Sequence, residues 1–333
     1  MPIQEVELVN FRNHKYKNIT FKPNVNILVG KNGVGKTSIL EAIYIKSEKK
    51  SFKTTHLKQT ITYNENKSQI NIISEKNKKF NVTLFSPETT VDLFYSSEQK
   101  RNIIDQEIKK NDVKYKKELQ EFNKILIQRN KLLKNYSKHK ITNKEFEYIK
   151  IWNQQFLEKS LIISKKRKEY LNKIKQYITD KYNKIVEKKE ENIIEIEFIS
   201  SPKILTEDNM KKIMIENFEK EKILGFSLEG CQKDNFQIYL KGEKSKGNIS
   251  QGEAWSITYA FVLSENEIIK NQIQNKIENI LLLDDLFISL DKTRKRKVID
   301  ILKKESQAII TTTNSENLNI FNKKNGINII KMN

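Results

Sequence analysis

A glycine-rich turn at residues 30–37 constrains this chain more than any other stretch. Ile27-Leu28-Val29 reads as a buried strand, and Ser38-Ile39-Leu40-Glu41-Ala42-Ile43 continues a helix. Between them the turn fits G-x-x-x-x-G-K-[ST], the P-loop pattern. Gly30, Gly33 and Gly35 let the backbone curl tightly and bring its N–H groups against phosphate oxygens. The helix behind them points its partly positive N-terminus at the same anion. The chain has 9 glycines, and three fall within these six residues. Gly30, Lys31, Asn32, Gly33, Val34, Gly35, Lys36, Thr37 and Ser38 are therefore the candidate phosphate-binding residues. Lys36 is expected to reach the β- and γ-phosphates of ATP, and the Thr37 hydroxyl to be a ligand for Mg²⁺.

Three later stretches make sense only with that loop. Ile280-Leu281-Leu282-Leu283 reads as a buried parallel strand that delivers Asp284 and Asp285 at its carboxyl end, where open α/β sheets bind ligands. This is a Walker B pattern. Asp284 is the expected metal ligand, and Asp285 the catalytic residue that orients or deprotonates a water. Ser250 with Glu253 three residues on is an ordinary capping box opening a helix. About thirty residues before the Walker B strand, Ser250-Gln251-Gly252 also resembles the ABC-type signature. That resemblance implies that Ser250 and Gly252 meet the γ-phosphate held by another subunit. Ser289-Leu290-Asp291 resembles the D-loop of the same shared site.

Charge points to a polyanionic partner. The net charge is +20, and a field of that strength favours nucleic acid or an anionic membrane surface. Compositional drift in a Lys-, Asn- and Ile-rich chain is the rival explanation, so the location of the charge matters more than its size. Apolar residues make up 37%, polar for a globular protein. The single cysteine, Cys231, excludes a disulfide framework and a thiolate zinc site and suits a reducing cytosol. No signal-peptide pattern and no apolar run of about 20 residues is visible, so a cytoplasmic protein without a membrane span is expected.

Along the chain, residues 2–9 read as an edge strand, and 69–73 and 80–85 as further strands. From residue 91 the character changes. No glycine occurs between 36 and 224, and apolar residues recur at helical spacing (Leu119, Phe122, Leu126, Leu133). The expected organisation is an α/β lobe, residues 1–90 plus 223–333, interrupted by a basic all-helical lobe at 91–222. Helices of about four turns are expected there, with Arg129 spoiling one apolar seam. Residues 98–190 hold 26 Lys and Arg against 13 Asp and Glu, densest at Lys165-Lys166-Arg167-Lys168. The helical lobe is thus the candidate for sequence-independent contact with a phosphate backbone.

Taken together these residues resemble the RecF family, bacterial recombination-repair ATPases that are compact relatives of SMC proteins. The likeness covers nearly the whole chain. It rests on Asn10-Phe11-Arg12-Asn13, the P-loop, Phe85-Ser86-Pro87-Glu88, Gln128-Arg129-Asn130, Ser250-Gln251-Gly252, Leu283-Asp284-Asp285 with Leu290-Asp291, and Ile309-Ile310-Thr311-Thr312-Thr313. The resemblance implies an ABC-type ATPase lobe, an ATP-dependent homodimer and binding to double-stranded DNA near gaps. It further implies work with RecR and RecO in loading RecA. Three departures stand out. Ala254-Trp255 follows the signature where the family commonly carries polar or basic residues. No histidine follows the last strand, which implies slow hydrolysis, and no Q-loop glutamine is evident. A non-hydrolysing DNA-binding scaffold with ATP as a structural ligand is the alternative. A P-loop kinase explains neither Ser250–Gly252 nor the basic helices, and the long basic insert and the missing histidine weigh against a transporter subunit.

Overall fold

The structure, a computed structural model, describes residues 3–75, 79–137, 143–187, 193–272, 278–288, 290–304, 307–313 and 326–333. Two compact units emerge. The first comprises Met1–Val91, Tyr177–Glu191 and Ile249–Asn333, and the second Asp92–Gln176 and Asn192–Asn248.

The first unit holds a parallel sheet of five strands. They are β3 (Val25–Val29), β5 (Phe80–Phe85), β9 (Glu278–Leu283), β10 (Ala308–Thr312) and β11 (Ile327–Lys331), in the order β11-β3-β10-β9-β5. Strands β3 and β10 are buried at every position, and β9 at all but its first. Their near-continuous aliphatic runs are what a sheet covered on both faces requires. Helix α1 (Lys36–Glu48) packs on β5 and β10, and α7 (Gln251–Gln272) on β5 and β9. Helix α8 (Lys292–Leu302) is the crossover between β9 and β10.

A second sheet in this unit is antiparallel. It contains β1 (Ile3–Phe11), β2 (His14–Thr20) and β4 (Gln69–Ser74), in the order β2-β1-β4. Strand β1 is therefore central, not an edge, because β4 closes its other side from sixty residues downstream. Pairing across that interval carries no local signal. Gln307 ties the two sheets together. Its amide accepts from Ile3 N at 3.0 Å and donates to the carbonyls of Ile3 at 2.7 Å and Lys22 at 2.8 Å.

The second unit contains α3 (Ser97–Asn111), α4 (Val113–Tyr136) and α6 (Glu207–Leu224), with most of α5 (Asn143–Val186). Helix α5 runs for 44 residues, well beyond the four turns its spacing suggests. The unit is not all-helical. Strands β6 (Ile194–Ile199), β7 (Asn235–Leu240) and β8 (Glu243–Lys244) form an antiparallel sheet in it, with Ile196 opposite Ile238. The return to the first unit consequently lies at 249, not 223. Strand β6 alternates buried and exposed positions, but its partner is forty residues away, so spacing could not assign it to a body.

Two buried arginines organise this unit. Arg129, fully buried, donates to Glu221 at 2.6 Å, Ser227 at 2.5 Å and Asn153 at 2.8 Å. The residue that spoils an apolar seam in sequence is the pin joining α4, α5 and α6. Arg167 is also buried; it pairs with Asp105 through two bonds of 2.8 Å and with Asp234 at 3.0 Å. It is thus withdrawn from the basic run. Within that run Lys166 pairs with Asp112 at 3.2 Å, and Lys165 and Lys168 are exposed.

Charge is also spread differently from the sequence expectation. Each unit holds 31 Lys and Arg against 21 Asp and Glu. The helical excess persists in the second unit, where residues 192–248 are nearly neutral, but the first unit carries an equal excess, so neither unit is the more basic.

Candidate functional site

Parallel register brings the candidate residues to one sheet edge. Thr312 lies opposite Val29, the residue before the P-loop, and Ile310 lies opposite Leu283, the residue before Asp284. The carboxyl ends of β3, β10 and β9 therefore open side by side, as ligand sites in such sheets require.

The loop itself is shaped by its glycines. A side chain at Gly30 would sit 2.5 Å from the Met332 carbonyl oxygen, so only glycine lets the end of β11 close on the loop. Gly35 caps α1 with φ 88°, and a side chain there would overlap His14 Nε2 at 2.1 Å. Val34 folds back over Gly30, while Lys31, Asn32 and Gly33 are exposed at the tip. Thr37 and Ser38 are half-buried in the first turn of α1. Lys36 is buried, and its ammonium donates to the carbonyls of Gly30 and Lys31, both at 2.9 Å. Burial lowers its pKa, and the charges of Asp285 and Asp284 pull the other way.

Asp284 is the hub. Its Oδ1 accepts from the Thr37 hydroxyl at 2.9 Å and from the Thr311 hydroxyl at 2.6 Å. Burial pushes its carboxyl up, against the pull of those two hydroxyls. Thr311 Oγ1 also accepts from Asp285 N at 2.8 Å. Asp285 adopts a left-handed backbone, φ 48°. Its Oδ1 is buried with no partner among the described residues. Burial raises its pKa as well, and the charges of Lys36 and Lys53 counter this. Such an orphaned carboxylate oxygen, next to a carboxylate–hydroxyl pair, fits a site built to complete its shell with a cation and a bound water.

Several contributors carry no local signal. The hairpin at Arg12-Asn13 leans on the loop. Asn13 Nδ2 donates to Gly33 O at 2.8 Å, and His14 Nε2 lies 3.2 Å from Gly35 O, an acceptor that selects the Nε2–H tautomer. Burial lowers the pKa of His14. Although no histidine follows the last strand, one touches the P-loop from β2. Arg12 pairs with the fully buried Glu41 through bonds of 2.8 and 2.5 Å, and Ser51 donates to the same carboxylate at 2.5 Å. This chain of bonds fastens residues 51–54 beside α1 and carries Lys53 within electrostatic reach of both aspartates. Asn10-Phe11-Arg12-Asn13 and Thr311 are visible as family motif residues, yet only the fold gives them partners.

The second half of the candidate site behaves differently. Ser250 caps α7 and forms the capping box expected from its spacing. Its N–H and hydroxyl donate to Glu253 Oε2 at 2.9 and 2.8 Å, and Glu253 N donates back to Ser250 Oγ at 3.3 Å. Ser250 is exposed and Gly252 half-buried, so the helix tip is open to solvent. Trp255, the departure from the family pattern, is buried with its ring 5.1 Å from that of Phe85. It serves the core beneath the tip. Asp291 caps α8 by accepting from Arg294 N at 2.9 Å. Ser289 lies outside the described residues.

The chain is similar to known proteins along nearly its whole length. A profile of the RecF/RecN/SMC N-terminal domain family matches residues 2–332. Curated relatives called DNA replication and repair protein RecF include one from Alkaliphilus oremlandii (strain OhILAs). It is 30% identical, over 96% of this chain and 95% of its own. Another from Clostridium perfringens (strain SM101 / Type A) is 30% identical, over 96% and 94%. Among solved structures, the recombination mediator protein RecF-ATP in the RecFOR pathway superposes with TM-score 0.82. It is 24% identical, and the match covers 99% of this chain and 95% of that one. An Smc head domain from Pyrococcus furiosus shares the fold more distantly, with TM-score 0.50 at 16% identity. With the P-loop, the paired aspartates and a family match that runs almost end to end, the chain belongs to the RecF family, within the RecF/RecN/SMC lineage of ATPase heads.

Proposed function

We propose that this protein is an ATP-dependent DNA-binding protein of replication and recombinational repair, working as a nucleotide-driven dimer with slow ATP hydrolysis. The observation that carries the reading is the Thr37–Asp284 contact of 2.9 Å. It joins the P-loop to the Walker B strand, so the two expected Mg²⁺ ligands already stand together. The names of the relatives supply the setting in DNA replication and repair.

In this reading Lys36 exchanges its carbonyl partners for phosphate oxygens, and the N–H groups of residues 33–38 cradle the rest. Thr37 and Asp284 hold Mg²⁺, which when bound neutralises charge between the phosphates. Asp285 Oδ1, buried and unpartnered, orients a water and accepts its proton. Burial raises its pKa, against the pull of Lys36 and Lys53, which makes it a better base than an exposed aspartate. Ser250 and Gly252, open to solvent, cap the nucleotide of a second copy in a two-fold dimer with two shared sites. That capping provides the differential affinity between states that a ligand-driven switch needs. RecR, RecO and RecA follow as partners from family membership.

Sedimentation velocity with and without ATP tests the switch. Wild type is expected to dimerise only with ATP, Lys36→Ala to stay monomeric, and Asp285→Asn to remain dimeric long after wild type has dissociated. A wild type that is monomeric under both conditions would overturn the reading.

A further inference from the structure

Three consecutive residues at the tip of the β1–β2 hairpin each hold a different part of the P-loop and its helix. Arg12 pairs with Glu41 of α1, and its backbone N–H donates to the Thr60 carbonyl at 2.7 Å. Those bonds, with Phe11 paired opposite His14, already fix the tip. Asn13 and His14 then direct their side chains at the loop itself. Asn13 Nδ2 donates to the Gly33 carbonyl at 2.8 Å, and His14 Nε2 to the Gly35 carbonyl at 3.2 Å. The fit on this side is close. A side chain at Gly35 would meet His14 Nε2 at 2.1 Å and Asn13 Oδ1 at 2.6 Å. Asn13 is exposed, so burial does not force its amide onto a protein partner; water would serve as well.

The two carbonyls are alternate members of the loop, and holding them has a consequence on its other side. In a trans peptide the C=O and the N–H point in opposite directions. A carbonyl drawn toward the hairpin therefore turns the N–H of the next residue away from it. The residues so turned are Val34 and Lys36. Gly33 and Gly35 have φ 85° and 88°, with Val34 between them outside the left-handed region. Alternation of that kind gathers successive N–H groups into an anion-binding concavity. The bonds from Asn13 and His14 lie on its outer wall. Donation to a carbonyl also polarises its peptide, which strengthens the N–H on the far side.

We propose that Asn13 and His14 are positioning residues for the phosphate cradle: by holding the Gly33 and Gly35 carbonyls they aim the N–H groups of Val34 and Lys36 at the phosphates of the nucleotide. The proposal rests on the ATP-binding reading above and adds what keeps the loop in its binding shape. Neither side chain needs to touch the nucleotide.

The test is equilibrium binding of a fluorescent ATP analogue, with inorganic tripolyphosphate as competitor. Asn13→Ala, at an exposed position, is expected to weaken both ligands by the same factor, about 3–10-fold. His14→Ala, read after its fold is checked by circular dichroism, should lose a similar factor. His14→Gln, which returns an N–H at the end of a side chain of like reach, should recover most of it. Asn18→Ala removes the 2.6 Å bond to Glu5 elsewhere in the same hairpin and should leave both affinities unchanged. Unchanged affinity in Asn13→Ala overturns the proposal, as does an equal loss in Asn18→Ala, which would mean that hairpin stability alone is felt. A loss for the ATP analogue without one for tripolyphosphate also overturns it, since the hairpin would then touch the nucleoside directly. His14→Gln as weak as His14→Ala removes His14 from the assignment. Failure of wild type to bind ATP overturns the nucleotide reading and the positioning role together.

Discussion

Asp284 and Asp285 show how one pair of side chains trades stability for function. Both are buried enough that their carboxyls titrate above the ordinary value of 3.8. A group with a raised folded pKa stabilises the fold below its unfolded value, and that contribution is lost as pH rises through the folded value. Above its folded value each ionised carboxylate is therefore a burden on the free protein. Asp285→Asn removes one charge and is expected to raise the melting temperature by about 1–2 °C at pH 7. The gain should shrink as pH falls toward 3.8. Thermal melts of wild type and variant at a series of pH values measure this; a lower melting temperature at pH 7 would show that Lys36 and Lys53 over-compensate the burial. Both aspartates are legible in sequence as charges ending an aliphatic run. The bridging hydroxyl of Thr311 is not, since it arrives from a strand 27 residues later.

At the level of elements, a buried ion pair does work that periodicity alone would assign to apolar packing. Arg129 carries α4 against Asn153 of α5 and Glu221 of α6, with its guanidinium stacked 4.9 Å from the Phe156 ring. The second oxygen of Glu221 accepts from Leu228 N at 2.7 Å, which fixes the turn after α6. Removing one partner of such a pair strands a charge, whereas replacing both with apolar groups can be neutral. Arg129→Met is thus expected to destabilise by about 3–5 kcal/mol, and Arg129→Met with Glu221→Leu to recover most of it. Urea denaturation of the single and double variants decides; equal losses in both would mean that the pair is not coupled. Helical spacing is sufficient to locate α4, but an arginine within it looks like an interruption until its partners, 24 and 92 residues away, are seen.

For the molecule as a whole, the even division of charge changes what salt should do. With 31 cations against 21 anions in each unit, no single basic lobe dominates the field. Duplex binding should fall steeply with salt, since each phosphate neutralised adds about 0.9 to the slope. Removing Lys165 and Lys168 together, the exposed lysines of the densest run, should lower the slope by no more than about two. A flat response in wild type would show that the lysine excess is compositional drift. Binding measured with and without ATP then shows whether dimerisation doubles the contacts: a steeper slope with ATP is expected.

The sequence alone was enough for everything whose cause is local. The P-loop needs glycines at set intervals, a buried parallel strand needs a run of aliphatics, and a helix start needs its capping serine. Each of these is a steric or hydrogen-bonding condition met within a few residues. What lies far apart in the chain was decided only by the tertiary structure. Strand β1 became central because β4 returned to it, and a sheet appeared in the second unit because β6 met β7. Arg129 turned from an interruption in an apolar seam, and Arg167 from a member of a basic run, into buried pins because acidic partners closed on them. Long-range pairing is selected by the total apolar surface buried and by the matching of buried charges. Neither quantity exists until the chain has folded on itself.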